Sequence, residues 1–147
     1  MRIIEDVKLD FNDVLIKPKR STLTTRKDAD LTRRFTFRHS KNDWRGVPII
    51  AANMDHTGTY EMHKALREYD MLTALCKFVE YTYQTPSDLI QTIGLDTNLD
   101  TIPESKWICL DVANGYTERF MEFVEKIRGH STTKDSIIIA GNVCTPE

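Results

Sequence analysis

Four continuous apolar runs constrain the fold of this 147-residue chain more than any other feature. They are rich in Ile, Leu, Val and Ala and occupy residues 47–53, 71–78, 107–112 and 136–143. The runs do not alternate apolar with polar residues, which is typical of strands buried on both faces, as in parallel sheets. They therefore predict a parallel sheet in the interior of an α/β domain.

Segments with helical spacing separate the first run from the second and the third from the fourth. The first segment has the i, i+3, i+4, i+7 spacing of an amphipathic helix at Met62, Ala65, Leu66 and Tyr69. In the second segment, Thr117 can cap a helix that Gly129 is expected to end, and the predicted apolar face is Phe120, Val124 and Ile127. This alternation predicts right-handed βαβ units.

The βαβ pattern allows either an open doubly wound sheet or a barrel. The chain contains neither G-x-G-x-x-G nor G-x-x-x-x-G-K-[ST], the glycine motifs typical of open sheets that bind dinucleotides or nucleoside triphosphates. We therefore favour a barrel, in which functional residues collect at the carboxyl ends of the strands. At those positions the chain places AANMD, CKF, DVANGY and AGNVC.

Two parts of the chain have less regular patterns. The first 45 residues carry charge clusters around short apolar pieces, which predicts an arm or cap over 1–45 and a barrel over 46–147. Between Val79 and Ser105, a short strand and a helical turn both remain open for Leu89, Ile90, Ile93 and Leu95.

Composition argues against several classes of partner. A net charge of −2 provides no basic surplus for binding nucleic acid, and no apolar window is long enough to predict a membrane span or signal peptide. Three cysteines without C-x-x-C spacing, Cys76, Cys109 and Cys144, suggest reduced thiols and a cytoplasmic location. The four histidines are scattered singly, so no metal site is predicted.

Asp111 is a candidate site residue because it ends an apolar run and is followed closely by Asn114-Gly115. An unpaired buried carboxylate is costly, so this side chain must find a partner or face a cleft. Asn-Gly is expected to provide a turn that tolerates positive φ before the helix capped by Thr117. The alternative is that Asp111 acts only as a turn and capping residue.

Longer motifs resemble GMP reductase in sequence and order. They are FNDVLIKPKRSTL at 11–23, RFTFRHS at 34–40, GVPIIAANMD at 46–55, CLDVANGY at 109–116 and AGNV at 140–143. The related IMP dehydrogenases are the alternative, but AANMD and DVANGY are more similar to the reductases. The resemblance implies a (β/α)8 TIM barrel, present here as an incomplete barrel of about the first four or five βα units with an N-terminal arm.

The resemblance also implies an activity and its partners. GMP reductases are oxidoreductases of purine salvage that convert GMP to IMP and ammonia with NADPH, as cytoplasmic homotetramers. The family's nucleophilic cysteine, in a G-S-V-C-T-T loop, and residues that hold K⁺ are expected beyond Glu147, so no catalytic residue is assigned here. A missing C-terminal half supplied by another polypeptide, or a non-catalytic subunit that pairs with a full-length reductase, remain alternatives.

Site residues follow from the same motifs. The resemblance assigns cofactor binding to Lys77, Asp111, Val112 and Ala113, and contact with the cofactor of a neighbouring subunit to Thr25 and Arg26. It assigns the substrate pocket to Asn53, Met54 and Asp55. Two neighbourhoods depart from the family pattern, because His56-Thr57 replaces Thr-Val and because Cys76 and Phe78 replace the histidines that flank Lys77.

Overall fold

The computed structural model describes residues 5–80 and 86–145. The chain divides into two compact units, Met1–Asp30 and Leu31–Glu147. This division does not test the predicted arm over 1–45, which stays a prediction. In the first unit, Phe11–Asp13 and Arg26–Asp28 each form a single 3₁₀ turn with a capping box at its start.

The second unit begins with an antiparallel hairpin, formed by β1 (Arg33–Thr36) and β2 (Asp43–Gly46). Phe35 lies opposite Trp44, and their rings stack with centroids 5.9 Å apart. In the connecting turn Lys41 has φ 57°, and the Phe37 N–H donates to the carbonyl oxygen of Asn42 at 3.0 Å. The rings of Phe35, Phe37 and Trp44 together form an aromatic surface on the hairpin.

A five-stranded parallel sheet forms the centre of the second unit. Its strands lie side by side in chain order, and they are β3 (Ile50–Ala51), β4 (Leu72–Ala74), β5 (Leu89–Ile93), β6 (Trp107–Asp111) and β7 (Ile137–Gly141). Each neighbouring pair is parallel. The predicted α/β class and incomplete barrel are confirmed, and β5 decides the open segment in favour of a strand.

Helix α2 (Glu118–Gly129) agrees with its sequence pattern. Thr117 caps it by accepting the Phe120 N–H at 3.2 Å, and the buried face contains Phe120 and Ile127, with Phe123 added. The helix ends at Gly129, but not through a left-handed glycine, because no described glycine has positive φ. Instead His130 continues the chain in an extended conformation.

The predicted buried face of α1 (Tyr60–Arg67) is partly wrong. Met62 and Leu66 are half-buried, but Ala65 is exposed, and Tyr69 lies beyond the end of the helix with 66% of its surface exposed. His63 is the buried residue of this helix, at 4% exposure. The buried face of α1 is therefore centred on a histidine, which a pattern of apolar residues does not mark as buried.

The two faces of the sheet have different covers. On one face, α2 and Ile102, from the connection between β5 and β6, pack against Ile108 and Leu110. On the other, Trp107 packs with Phe37 and Trp44 of the hairpin, at ring centroid distances of 5.3 and 6.0 Å. Since Trp107 starts β6, the hairpin covers the amino-terminal end of that face.

The connections on either side of β5 are shorter than a full βα unit. Among the described residues, neither connection contains an α-helix, and the second contains one 3₁₀ turn, Leu99–Thr101. In the described part of the chain, no helix is long and apolar enough to cross a membrane.

Candidate functional site

The residues assigned to the substrate pocket and most of those assigned to the cofactor lie at one edge of the sheet. Residues 53–55 follow β3, Lys77 follows β4, and Asp111 ends β6 with Val112 and Ala113 after it. Because β3 to β7 are parallel, these positions share the carboxyl edge. Thr25 and Arg26 belong to the first unit.

The loop after β3 is fastened to the end of β4. The Cys76 N–H donates to the carbonyl oxygen of Gly58 at 2.9 Å, and the Cys76 thiol donates to Asp55 Oδ1 at 3.2 Å. A Cβ on Gly58 would lie 2.5 Å from the Ala74 carbonyl oxygen, so only glycine allows this approach. Contacts between the two strand ends therefore fix the backbone beside Asp55.

Lys77 and Phe78 are both exposed at the end of β4. The Lys77 ammonium lies 5.5 Å from the centroid of the Phe78 ring, within the range of a cation–π interaction. Both residues line an open cleft of about 450 Å³ beside the end of β5, together with Gln91, Thr92, Gly94 and Thr97. The cleft is large enough for part of a nucleotide.

Asp111 is half-buried and lies opposite Gly141 of β7 in the strand register. Cys109 lies two residues before Asp111, on the same face of β6. Burial raises the pKa of the Cys109 thiol above its usual value. The Asp111 carboxylate adds to this increase, and a hydrogen bond with Thr92 opposes it. Cys109 is therefore a protonated thiol at neutral pH and a poor nucleophile.

Backbone hydrogen bonds join the loops that follow β6 and β7. The Val112 N–H donates to Gly141 at 2.9 Å, the Asn142 N–H donates to Val112 at 2.8 Å, and the Gly115 N–H donates to Asn142 at 2.9 Å. The expectation of positive φ at Asn114-Gly115 is wrong, because neither residue has it. Glycine is needed instead because the loops after β6 and β7 approach closely at this position. A Cβ on Gly115 would lie 2.8 Å from the Asn142 carbonyl oxygen.

Tyr116 is a residue that the sequence did not single out. Its hydroxyl contacts the loop after β7, at Cys144 and Thr145. The pairing joins positions 28 and 29 residues apart, so no local spacing could have indicated it.

Thr25 is engaged within its own turn. Its hydroxyl accepts the Lys27 N–H at 3.1 Å, while Asp28 accepts the Thr25 N–H at 3.1 Å. Arg26 is exposed. Their contact with a neighbouring subunit stays a prediction. Within residues 5–80 and 86–145, no three His, Cys, Asp or Glu side chains cluster in a way that could hold a metal ion.

Comparison with known proteins identifies sequence relatives along the whole chain, although no protein-family model matches it. The chain is 46% identical over 165 residues to GMP reductases of Citrobacter koseri, Shigella boydii serotype 4 and Escherichia coli K12. Each alignment covers all of this chain and 47% of the relative, so the chain spans about half the length of these curated relatives. The resemblance to GMP reductase is thus confirmed.

The solved structures support the fold. An inosine 5′-monophosphate dehydrogenase from Legionella pneumophila superposes with a TM-score of 0.69 at 22% identity, over 92% of this chain and 44% of that protein. The alignment with the reductases has 165 positions against 147 residues here, so 18 positions have no counterpart in this chain. The chain is therefore shorter than its relatives within the region that they share.

Proposed function

We propose that this chain is one half of a GMP reductase, an oxidoreductase that converts GMP to IMP and ammonia with NADPH. One observation carries the proposal: a chain 46% identical to GMP reductases over its full length has its motif residues at the carboxyl edge of a parallel half-barrel. Because the relatives are about twice as long, the complete activity requires strands that this chain does not contain.

The cofactor side of the proposed site is formed by Lys77 and residues 111–113. The groups present there fit a nicotinamide dinucleotide, because an exposed ammonium suits anionic groups and a half-buried carboxylate accepts N–H donors such as those of a carboxamide. Val112 and Ala113 add small apolar side chains against which a ring can pack. When bound, the cofactor supplies a hydride.

The substrate side is formed by residues 53–55. Asn53 provides an amide that both donates and accepts, and Asp55 accepts N–H donors of the kind that a guanine base carries. The hydrogen bond from the Cys76 thiol orients the Asp55 carboxylate, and the Gly58 contact fixes its backbone. The His56-Thr57 and Cys76 replacements lie in this part, so they are expected to modify how tightly the base is held.

No cysteine of this chain is assigned as the nucleophile. A thiolate is the reactive form, and the raised pKa of Cys109 opposes its formation. Cys76 is buried and donates to Asp55, while Cys144 is exposed in CTPE, which does not match the family loop. Covalent attack on the purine is therefore assigned to a cysteine of the complementary half.

The wider setting belongs to the same proposal. A cytoplasmic homotetramer acting in purine salvage is supported by the relatives' identity as GMP reductases. In that assembly Thr25 and Arg26 would contact the cofactor of a neighbouring subunit, and K⁺ would be held by the complementary half. IMP dehydrogenase remains the alternative enzyme, supported by fold likeness alone.

Cofactor binding tests the first part of the proposal. NADPH fluorescence titrated against the 147-residue chain should show saturable binding, weakened about 10-fold by Lys77→Gln or Asp111→Asn. Lys126→Gln, in the last turn of α2 and exposed, is the matched control and should bind like the wild type. Equal affinity in all four proteins would contradict these assignments.

Turnover tests the second part. The chain alone should not consume NADPH in the presence of GMP, and co-expression with the C-terminal half of the Escherichia coli reductase should restore consumption. Activity of the chain alone would refute the assignment of the nucleophile to the complementary half. Reduction of NAD⁺ with IMP as substrate, by the complemented enzyme, would favour the dehydrogenase instead.

A further inference from the structure

The Tyr116 hydroxyl makes an unusually complete set of hydrogen bonds for an exposed side chain. Its oxygen accepts the backbone N–H of Cys144 and, at 2.7 Å, the N–H of Thr145. It also lies 3.1 Å from Thr145 Oγ1. A phenol has two acceptor positions and one donor, so these three contacts occupy its full capacity.

The loop that carries Tyr116 is prepared for this contact. Asn114 Oδ1 accepts the Tyr116 N–H at 3.0 Å, which forms a local turn that aims the ring toward the loop after β7. Asn142 Nδ2 donates back to the Val112 carbonyl oxygen at 3.0 Å. Together with the backbone bonds of Val112 and Gly115, these contacts make the two loops one hydrogen-bonded unit.

We propose that Tyr116 is a positioning residue whose hydroxyl clamps the loop after β6 onto the loop after β7, and so holds residues 112 and 113 in the shape that receives the nicotinamide cofactor. Only the role in cofactor binding rests on the proposed function. The clamp itself is defined by hydrogen-bond distances within the chain. Val112 and Ala113 precede Tyr116 by four and three residues, without regular structure between them. Loss of the hydroxyl therefore removes one of the contacts that hold this segment against the loop after β7.

The same contacts give the clamp a spectroscopic signature. The hydrogen bond with the Thr145 hydroxyl, followed by the Cys144 N–H, lowers the pKa of the Tyr116 phenol below its usual value. The two N–H groups stabilise the phenolate, as does the Thr145 hydroxyl once it turns to donate, so Tyr116 should ionise at lower pH than an ordinary tyrosine. In an ultraviolet titration, Tyr116→Phe should remove a transition that lies below the usual tyrosine range, and Tyr69→Phe, a matched control at an exposed position, should retain it. Loss of a late transition instead would overturn the clamp.

Amide hydrogen exchange tests the clamp without any ligand. Tyr116→Phe retains the ring and removes only the hydroxyl, so exchange at Cys144 and Thr145 should accelerate about 10-fold, with a smaller increase at Ala113. Amides of β5 and the global unfolding midpoint should change little. Unchanged exchange at Cys144, Thr145 and Ala113 would overturn the proposal, as would a uniform increase across the sheet.

NADPH affinity separates this proposal from the proposed function. Weaker binding by Tyr116→Phe, with Tyr69→Phe equal to the wild type, supports a positioning role. Wild-type affinity in Tyr116→Phe despite faster local exchange overturns it. If the wild type itself binds no NADPH, the cofactor assignment fails, while the exchange and titration results still decide whether the clamp exists.

Discussion

At the scale of single residues, His63 shows how a polar side chain takes a core position. It is 4% exposed, and its Nε2 lies 3.6 Å from Asp88 Oδ1, while Arg67 Nε lies 3.5 Å from Asp88 Oδ2. Burial lowers the pKa of His63, the Asp88 carboxylate raises it, and the Arg67 charge lowers it. The net decrease means that the folded protein prefers a neutral imidazole.

This preference predicts a pH dependence of stability. Above the ordinary histidine pKa of 6.5 the ring is neutral in both states, and the folded state loses nothing. As the pH falls below 6.5 toward the lower folded pKa, the unfolded chain binds the proton first, so the free energy of unfolding decreases. Urea unfolding at about pH 7.5 and about pH 5.5 should show a smaller decrease in His63→Gln than in the wild type.

His39→Gln provides the control for this prediction, because His39 is exposed in the turn of the hairpin. It should retain the wild-type dependence on pH. An identical decrease in His63→Gln and the wild type would show that His63 does not contribute to acid sensitivity.

At the scale of elements, the contact between the loops after β6 and β7 depends on the absence of a side chain at position 115. A Cβ there would lie 2.7 Å from Val143 Cγ1 and 2.8 Å from the Asn142 carbonyl oxygen. Gly115→Ala should therefore lower the free energy of unfolding by about 1–3 kcal/mol, as overpacking in a fixed contact does. Urea denaturation measures the change.

Gly94→Ala is the matched substitution, since nothing lies within 4 Å of a Cβ at that position, just after β5. It should change stability by less than about 0.5 kcal/mol. An equal loss in both variants would mean that backbone freedom, rather than the close approach of two loops, explains the glycine at 115.

The elements differ in how far sequence patterns could predict them. The pattern of α2 predicted its cap and two of its three buried residues, because an apolar stripe at helical spacing is a local property. The same reasoning misplaced the face of α1, where the sheet buries His63. The sequence did not distinguish a strand from a helical turn around Leu89. In the structure this segment pairs with β4 and β6 and is therefore a central strand.

At the scale of the whole second unit, stability depends on a hairpin that covers one face of the sheet. Trp44 contacts Phe35 on its own hairpin and Trp107 on β6, so it links the two layers. Trp44→Ala should lower the free energy of unfolding by about 2–4 kcal/mol, because the substitution removes an aromatic group from a packed cluster. Thermal unfolding and near-ultraviolet circular dichroism report the loss.

Phe35→Ala serves as the comparison. Phe35 is 40% exposed and belongs to the same hairpin, but Trp44 rather than Phe35 makes the ring contact with Trp107. Its removal should cost clearly less than the removal of Trp44. A larger loss for Phe35→Ala would indicate that hairpin formation, rather than its packing on the sheet, limits stability.

The amino-acid sequence by itself determined the parallel α/β architecture, the threonine that caps α2 and the motifs that identify the relatives, because each is encoded in residues close together along the chain. Only the tertiary structure decided why residue 115 is glycine, which residue of α1 is buried, and how Tyr116 reaches Thr145. The physical reason is distance: these features arise from atoms within hydrogen-bond or van der Waals range whose residues are far apart in sequence, and no local pattern contains that information.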